Sequence, residues 1–348
     1  MRRIAVLAEG YFNWQDAKTA VGILRYRSDT VVAVIDSTNV GRDAAQVLGD
    51  PDGPGKGVPV VANVSAALAY APDTLVIGIA PIGGQLPAVW KAEILQAIAA
   101  GLDIVSGLHH FLSDDTELAA AAKRHRVTIW DVRRPPDELA MRIGEGRAHR
   151  PGSHVAYFCG TDCNVGKMTV ALECAREAKQ RGLSAAFAAT GQTGIMIEGS
   201  GIPADRFISD FLAGGVEGMV LDLAERFDWV FVEGQGSLLH PAYSAVTLGL
   251  LHGAAPDLLV LCHEAGRSHI RRYQVPIPPI PRVRAIYEEA AGWLKPASTV
   301  ALALNTFGMS DAAAREAIAQ AQRETQLPTT DPVRFGAGPI LDALLAAV

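Results

Sequence analysis

Short runs of apolar, often β-branched residues alternate with helical segments along this chain, and this alternation most constrains its fold. In the first half, the runs with the character of strands buried on both faces are residues 4–8, 30–35, 58–62, 74–80, 103–107 and 127–132. The stretches between them with helical character are residues 16–26, 64–71, 87–101 and 114–125. Strands joined through helices pair in parallel. The pattern predicts an α/β fold whose first part is a Rossmann-like parallel sheet.

The alternation resumes after a connector, residues 133–154, that is rich in proline, glycine and charge. The later strand-like runs are residues 155–159, 184–190, 229–234, 257–262 and 298–305. Residues 274–282 are proline-rich and predict a loop, because proline cannot donate to a sheet ladder. We therefore predict three parts: a Rossmann-like α/β domain over 1–135, a linker over 136–153 and a doubly wound α/β domain over 154–348.

Composition excludes several classes of function. With 348 residues, of which 49% are hydrophobic and 20% charged, the chain has material for two buried cores. A net charge of -6 without a large basic cluster disfavours nucleic-acid binding. No apolar segment approaches the ~18 residues of a membrane span, and the amino terminus lacks a signal-peptide core. The four cysteines have no zinc-site spacing and suit a reducing compartment. We expect a cytoplasmic homo-oligomer whose partner is a small-molecule substrate, with no nucleic acid and no membrane.

The stretch 158–173, FCGTDCNVGKMTVALE, places a glycine-rich turn between a strand and a helix. Such a turn points backbone N–H groups and the helix dipole at a phosphate. Gly160 and Gly166 allow close approach of the backbone, and Lys167 supplies a positive charge. The remaining cofactor-binding candidates in this phosphate loop are Thr161, Asn164, Val165, Met168 and Thr169. We predict that the loop binds a phosphorylated cofactor.

The residue after Lys167 bears on which cofactor that is. Nucleotide hydrolases carry a hydroxyl at this position, and it ligates Mg²⁺. Met168 has no hydroxyl, and Thr169 lies one residue further along. The apparatus for Mg²⁺ and a γ-phosphate is therefore incomplete, which leaves two cofactors open: a diphosphate such as coenzyme A, or ATP with Mg²⁺. Whether a metal is bound stays unknown at this point.

The candidate catalytic residues follow strands, at the sheet edge where ligands bind in this architecture. Glu233 ends the strand WVFVE, His240 follows the loop GQGSLL, and His263 follows the strand DLLVLC. Each is a candidate general base. Asp162, inside the phosphate loop, is a candidate metal ligand or anchor for a substrate ammonium, and equally a candidate for an Asx turn.

Three further residues are candidates for binding the substrate. The side chains of Gln192 and Thr193 are potential hydrogen-bond donors to a developing oxyanion. Arg267, in the segment HEAGRSH, is a potential bidentate partner for a substrate carboxylate. A substrate with carboxylates would need such a cationic partner.

The second half of the chain resembles dethiobiotin synthetase. The segments that carry the resemblance, in the order of that family, are GTDCNVGK (160–167), ATGQTG (189–194) and FVEGQG (231–236). Asn305, at the end of a late strand, resembles the asparagine that reads the base in that family. Two departures are visible: ATGQTG lacks the lysine of the family's second segment, and Met168 replaces the hydroxyl after Lys167. The first weakens the case for dethiobiotin chemistry and the second weakens the case for Mg-ATP.

The whole chain is similar to the family of domain of unknown function 1611, in which a Rossmann-like domain precedes a P-loop domain. The similar segments are AKTAVGILRY (17–26), LVIGIAPIGG (75–84), SGLHHFLSDD (106–115), GTDCNVGKMT (160–169) and TGQTG (190–194). The resemblance implies an N-acetyltransferase that uses acetyl-CoA, acts on the small acidic amino acid D-glutamate, and holds the CoA phosphates in its phosphate loop. Two alternatives stay open: a Mg-ATP-dependent ligase or kinase of the dethiobiotin-synthetase type, and a non-catalytic nucleotide or CoA sensor.

Overall fold

The structure is a computed structural model that describes residues 2–79, 86–147 and 149–348. The segment APIGG (80–84), which contributes to the family resemblance, lies outside the described residues. The chain divides into two compact units. The first comprises Met1–Arg134 and Gln192–Ser200, and the second comprises Pro135–Gly191 and Gly201–Val348.

The first unit alternates strands and helices as its periodicity predicts. In chain order, its elements up to the connector are β1 (Ile4–Leu7), α1 (Lys18–Tyr26), β2 (Val31–Ile35), α2 (Ala44–Val47), β3 (Val60–Val61), α3 (Val64–Ala67), β4 (Thr74–Ile77), α4 (Ala88–Ala99), β5 (Asp103–Ser106), α5 (Thr116–His125) and β6 (Ile129–Asp131), with 3₁₀ turns at Ser37–Asn39, Leu68–Tyr70 and Leu112–Asp114. The strands form one sheet in the order β3-β2-β1-β4-β5-β6, and neighbouring strands pair in parallel. This is the strand order of a Rossmann sheet.

The second unit contains the phosphate loop. The later elements of the chain are α6 (Asp137–Ala140), β7 (His154–Gly160), α7 (Lys167–Gln180), β8 (Ala185–Ala188), α8 (Gln192–Glu198), α9 (Ser209–Arg226), β9 (Trp229–Glu233), α10 (Ser244–Ala254), β10 (Leu258–Glu264), α11 (Ile280–Gly292), β11 (Ser298–Asn305), α12 (Asp311–Thr325), β12 (Thr329–Thr330), α13 (Pro332–Phe335) and α14 (Gly338–Leu345), with a 3₁₀ turn at Ala204–Arg206. Of these, α8 belongs to the first unit.

The strands of the second unit form a parallel sheet in the order β12-β11-β10-β7-β9-β8. After β7 the chain runs to β8 and β9 on one side, and then crosses to β10 and β11 on the other. The order of the sheet therefore reverses at β7, and ligands of open α/β sheets bind at the carboxyl ends of the strands beside such a reversal. The phosphate loop leaves β7 at this point.

The central strands are apolar because helices cover both faces of the sheet. The core contains completely buried side chains from β7, β9 and β10, namely Val155, Tyr157, Val230, Val232, Leu259 and Leu261. Three free cysteines, Cys159, Cys174 and Cys262, are buried as well. Burial raises the pKa of the Cys262 thiol to about 12, so at neutral pH this residue is an inert thiol.

Two segments differ from the sequence expectations. The predicted linker, 136–153, contains α6, and its residues 145–147 donate backbone hydrogen bonds of 2.7–3.3 Å to the buried Glu217 carboxylate of α9. The proline-rich loop predicted over 274–282 ends at Pro279, the N-cap of α11, which begins at Ile280. Pro281 is compatible with the first turn of that helix, whose N–H groups have no partner within the helix. Among the described residues, no helix has the length and apolarity needed to cross a membrane.

Candidate functional site

The phosphate loop has the backbone geometry of an anion site. Asn164 and Gly166 have positive φ values of 58° and 103°, which turn the backbone so that successive N–H groups face one side. In the described chain, no hydrogen bond uses the backbone N–H groups of residues 164–169 as donors. These groups lead directly into α7, whose amino end is positively polarised. The loop therefore offers a row of unused donors to a phosphate.

Lys167 adds the positive charge of this site. Its side chain is buried, and Nζ donates a 2.7 Å hydrogen bond to the backbone carbonyl of Asp162 within the same loop. Burial lowers the pKa of Lys167, while the neighbouring cysteine thiols and the Asp162 carboxylate raise it. A bound phosphate would supply the negative charge that an enclosed ammonium lacks.

Asp162 is completely buried, and hydrogen bonds occupy both of its carboxylate oxygens. Oδ1 accepts from the backbone N–H of Cys163 at 2.6 Å, and Oδ2 accepts from Arg267 Nη1 at 2.9 Å and from the backbone N–H of Arg271 at 2.7 Å. These bonds join the phosphate loop to the loop after β10. They favour a structural role for Asp162 over proton transfer, and its catalytic assignment stays a prediction.

Arg267 is likewise engaged within the protein. Besides Asp162, Nη1 donates to the carbonyl of Cys163 at 2.8 Å, and Nη2 forms a 2.5 Å ion pair with Glu264. A guanidinium with these partners has few donors left for a substrate carboxylate. The assignment of Arg267 to the substrate stays a prediction. Its contacts connect the loop after β10 to the phosphate loop.

Glu233, at the carboxyl end of β9, is a buried carboxyl with an unusual pKa. Burial raises its pKa to about 7, while the backbone N–H groups of Thr190 and Gly191 and the charge of Lys167 act in the opposite direction. Glu233 Oε2 accepts from these N–H groups at 3.0 and 3.2 Å. A carboxyl that titrates near neutral pH at a strand end beside a phosphate loop is suited to general acid–base chemistry.

His240 lies in the loop after β9 with only 3% of its surface exposed. Nδ1 accepts a 3.1 Å hydrogen bond from the backbone N–H of Ala242. A peptide N–H is only a donor, so the proton of the neutral imidazole is on Nε2. The ring stacks on Tyr243 at 4.5 Å between centroids and meets the edge of Tyr273 at 5.0 Å. In this tautomer Nε2–H is available as a hydrogen-bond donor, and the ring has no free lone pair with which to act as a base.

His263 lies near the carboxyl end of β10, next to the phosphate loop. Its Nδ1 lies 2.9 Å from Thr161 Oγ1, and the backbone N–H of Thr161 donates to the carbonyl of Cys262 at 3.0 Å. Burial and the nearby Arg267 charge lower the pKa of His263 to about 4. A neutral imidazole with so low a pKa is a weak base at neutral pH, and its contact with Thr161 is suited to orienting the start of the loop.

Three side chains near the phosphate loop have the donor types of a metal site. Ligand atoms of Asp162, Cys163 and His240 lie within 4.8 Å of one another, and this is the one such cluster among the described residues. Oxygen, sulfur and nitrogen together would suit zinc. However, the Asp162 oxygens already accept three hydrogen bonds, and His240 has its proton on Nε2 while Nδ1 accepts from Ala242. The residues therefore do not fit a metal in this arrangement.

The remaining predicted residues lie in different surroundings. Val165 is buried in the loop, and Met168 and Thr169 are half-buried in the first turn of α7. Asn305 Oδ1 accepts from the backbone N–H of Phe307 at 3.0 Å, which closes the turn after β11. Gln192 and Thr193 begin α8, a helix of the first unit, where Thr193 Oγ1 lies 2.8 Å from Thr19 Oγ1. These assignments to cofactor and substrate stay predictions.

Sequence reasoning missed several residues that shape the site. Thr190 and Gly191 contact Glu233 through their backbone, and Gln235 Nε2 donates to the Thr190 carbonyl. The segments ATGQTG and FVEGQG pointed to these positions, but without roles. Tyr243, three residues after His240, and Tyr273, from the loop after β10, flank His240, and sequence reasoning gave neither a role.

Comparisons with known proteins cover both α/β parts of the chain. A profile described as a domain of unknown function (DUF1611_C), P-loop domain, matches residues 142–341, and one described as DUF1611_N, Rossmann-like domain, matches residues 37–135. A crystal structure of a DUF1611 family protein from Anabaena variabilis superposes with a TM-score of 0.92 at 41% identity, over 99% of this chain and 100% of that one. The predicted pair of α/β folds, Rossmann-like and P-loop, is thus confirmed.

Two curated relatives are named D-glutamate N-acetyltransferase. The relative from Tritonibacter scottomollicae is 38% identical over 332 residues, which are 95% of this chain and 94% of the relative. The relative from Pseudoalteromonas sp is 36% identical over 281 residues, which are 80% of this chain and 83% of the relative.

Proposed function

Because the chain belongs to the DUF1611 family and has curated relatives named D-glutamate N-acetyltransferase, we propose that it transfers the acetyl group of acetyl-CoA to the amino group of D-glutamate. The observation that carries this proposal is the 38% identity to such a relative over 95% of the chain. The family resemblance noted in the sequence is confirmed by the same matches. An N-acyltransferase also agrees with the chemistry of the site.

The phosphate loop fits the anionic part of acetyl-CoA. The unused N–H groups of residues 164–169 and the buried Lys167 would hold phosphoryl oxygens. Met168 provides no hydroxyl for Mg²⁺, which a CoA diphosphate does not require. The loop thus has the donors for a diphosphate and lacks part of the apparatus for hydrolysing a triphosphate.

Acetyl-CoA supplies an acetyl group that a thioester activates, and the chain must deprotonate the substrate ammonium before its nitrogen can attack. Glu233 is the proton acceptor that the structure favours. Because its pKa is about 7, a substantial fraction of Glu233 is carboxylate at neutral pH. This carboxylate is also a stronger base than an ordinary one, whose pKa is about 4.5. The fixed tautomer of His240, the low pKa of His263 and the full set of partners of Asp162 make these three weaker candidates.

The length of the cofactor limits how this acceptor can act. The pantetheine arm is about as long as four extended residues, roughly 14 Å, and it separates the CoA phosphates from the thioester. Glu233 is close enough to Lys167 for the lysine charge to lower its pKa. If Glu233 is the base, the arm must fold back over the phosphate loop. A CoA analogue with a rigid, extended arm should then bind without supporting acetyl transfer.

The same proximity of Glu233 and Lys167 favours a second candidate, a Mg-ATP-dependent ligase or kinase. In such an enzyme the reacting group is the terminal phosphate, which would lie directly at the phosphate loop. The missing hydroxyl at Met168 and the names of the relatives count against it. The two proposals predict different products, CoA or ADP.

The test begins with calorimetric titrations of acetyl-CoA and of Mg-ATP into the purified protein and into Lys167→Ala. Lys179→Ala is the matched control, because Lys179 is an exposed lysine at the far end of α7. Acetyl-CoA binding that Lys167→Ala abolishes and Lys179→Ala retains, followed by CoA release with D-glutamate, is the expected result. Binding of Mg-ATP without acetyl-CoA, and ADP release with an acidic substrate, would overturn the transferase proposal in favour of the second candidate.

The cellular setting is part of the proposal. The free, buried cysteines support a reducing compartment, and we propose that the enzyme works in the cytoplasm. Its homo-oligomeric state stays a prediction that light scattering would measure.

A further inference from the structure

His240 combines deep burial with an unused polar atom. Only 3% of the surface of His240 is exposed, yet no described residue hydrogen-bonds Nε2. Nε2 is not one of the fully buried unpartnered side-chain atoms of the described residues, so this donor remains accessible to a ligand or a water. Nε2–H is therefore a candidate ligand contact.

The surroundings of the ring indicate which kind of ligand. His240 lies beside Asp162 and Cys163, within the 4.8 Å cluster at the start of the phosphate loop. The Asp162 carboxylate is already bonded to Arg267, Arg271 and Cys163, and it does not accept from His240. The adjoining residues of the loop, 164–169, have unused N–H groups that are suited to an anion, and an anion bound there would offer acceptor oxygens beside His240.

We propose that the Nε2–H of His240 donates a hydrogen bond to a phosphoryl oxygen of the ligand in the phosphate loop. The imidazole stays neutral when the ligand binds, with one proton on Nε2 and none on Nδ1. The identity of that ligand as the diphosphate of CoA rests on the proposed function. The role of His240 applies to any diphosphate that binds there without a metal.

Two features keep His240 neutral. The backbone N–H of Ala242 faces Nδ1, so a proton on that atom would meet another donor. Burial and the Lys167 charge lower the pKa of His240, and only the Asp162 carboxylate raises it. The side chains that pack on the ring, Tyr243 and Tyr273, are aromatic. Metal-free recognition by a neutral donor also accounts for a loop in which Met168 replaces the usual metal-binding hydroxyl.

The test uses His240→Gln, His240→Asn and His240→Ala, each titrated with CoA, ADP and inorganic pyrophosphate in the presence of EDTA. The glutamine amide nitrogen occupies nearly the position of Nε2, whereas the asparagine amide reaches only the position of Nδ1. His252→Gln is the control, because His252 bonds the Ala290 carbonyl through Nε2 on a helix remote from the loop in sequence. Thermal unfolding of every variant checks that it is folded.

We expect His240→Ala and His240→Asn to weaken binding of all three probes by roughly 10- to 100-fold, as for one hydrogen bond to a charged group. His240→Gln should recover most of that loss, and His252→Gln should bind like the wild type. The ratio of wild-type to His240→Gln affinity should not change with pH around the ordinary histidine pKa of about 6.5, since both proteins bind the same ligand forms.

Equal binding by all folded His240 variants would overturn the proposal, as would a glutamine variant as weak as the alanine variant. Wild-type binding that requires added zinc, or that is absent for every probe, would do so too. The outcome is separable from that of the proposed function. If CoA and pyrophosphate bind with the expected variant pattern but D-glutamate is not acetylated, the acetyltransferase proposal fails and the role of His240 stands.

Discussion

Asp162 and Arg267, 105 residues apart in the chain, form a 2.9 Å ion pair that ties the phosphate loop to the loop after β10. Asp162 is completely buried, and the Arg267 side chain is 13% exposed. Removing one partner of a buried pair leaves the other charge uncompensated, which costs far more than the loss of an exposed pair. The pair therefore stabilises the shape of the candidate site.

Replacing Asp162 by Asn should destabilise the protein by about 3 kcal/mol, because Arg267 would lose its buried counter-charge. Denaturant unfolding monitored by circular dichroism measures the change. Asp52→Asn is the control, since the pair between Asp52 and Lys56 is exposed and its loss should change little. A stability loss no greater for Asp162→Asn than for Asp52→Asn would show that the buried pair contributes nothing.

Glu233 should make stability and activity depend on pH in opposite ways. Burial raises its folded pKa from 4.5 to about 7, so between these values the folded state holds a proton that the unfolded state has released. Stability should therefore fall as pH rises from 4.5 to 7, by about 3 kcal/mol in total, whereas a base at this position should make kcat/KM rise over a limb centred near pH 7.

Glu233→Gln tests both expectations, because the amide cannot ionise. The variant should lose most of its activity, by about 100-fold or more, and the stability decrease between pH 4.5 and 7 should disappear. Urea unfolding across this range and a pH–rate profile are the measurements. A variant that keeps both the acid limb of the rate profile and the wild-type stability curve would exclude Glu233 as the titrating group.

His263 should contribute a pH dependence of the opposite sign. Its folded pKa is lowered from 6.5 to about 4, so in this window the unfolded state binds a proton that the folded state does not. Stability should fall as pH decreases from 6.5 to 4, by roughly 2–3 kcal/mol. His263→Asn, which keeps a polar atom near Thr161, should flatten this part of the curve. An unchanged slope in the variant would assign the acid sensitivity to other groups.

Met168→Ser should add the hydroxyl that the phosphate loop lacks. If Met168 is the reason for metal-free binding, ADP should bind the variant about tenfold more tightly with Mg²⁺ than with EDTA, as for one added contact to a charged group. The wild type and a Met168→Leu control should show no such difference. Calorimetry with and without Mg²⁺ measures it, and a wild type already dependent on Mg²⁺ would contradict the premise.

The local chemistry of the sequence determined much of this protein. Continuous apolar runs predicted the parallel strands because burial on both faces requires apolar side chains along the whole strand. The glycines and Lys167 predicted the phosphate loop, because its geometry depends on residues that are neighbours in the chain. The bounds of β11, Ser298–Asn305, are those predicted from its apolar run.

Only the tertiary structure decided which side chains are engaged with one another. The sequence placed Asp162 and Arg267 as separate candidates, and folding made each the partner of the other. The sequence made His240 a candidate base, but the Ala242 N–H fixes a tautomer in which the ring is a donor. The helix α8 belongs to the first unit, although the residues before and after it in the chain belong to the second. Partnership, burial and pKa depend on groups that folding brings together from distant parts of the chain, and no local pattern of residues specifies them.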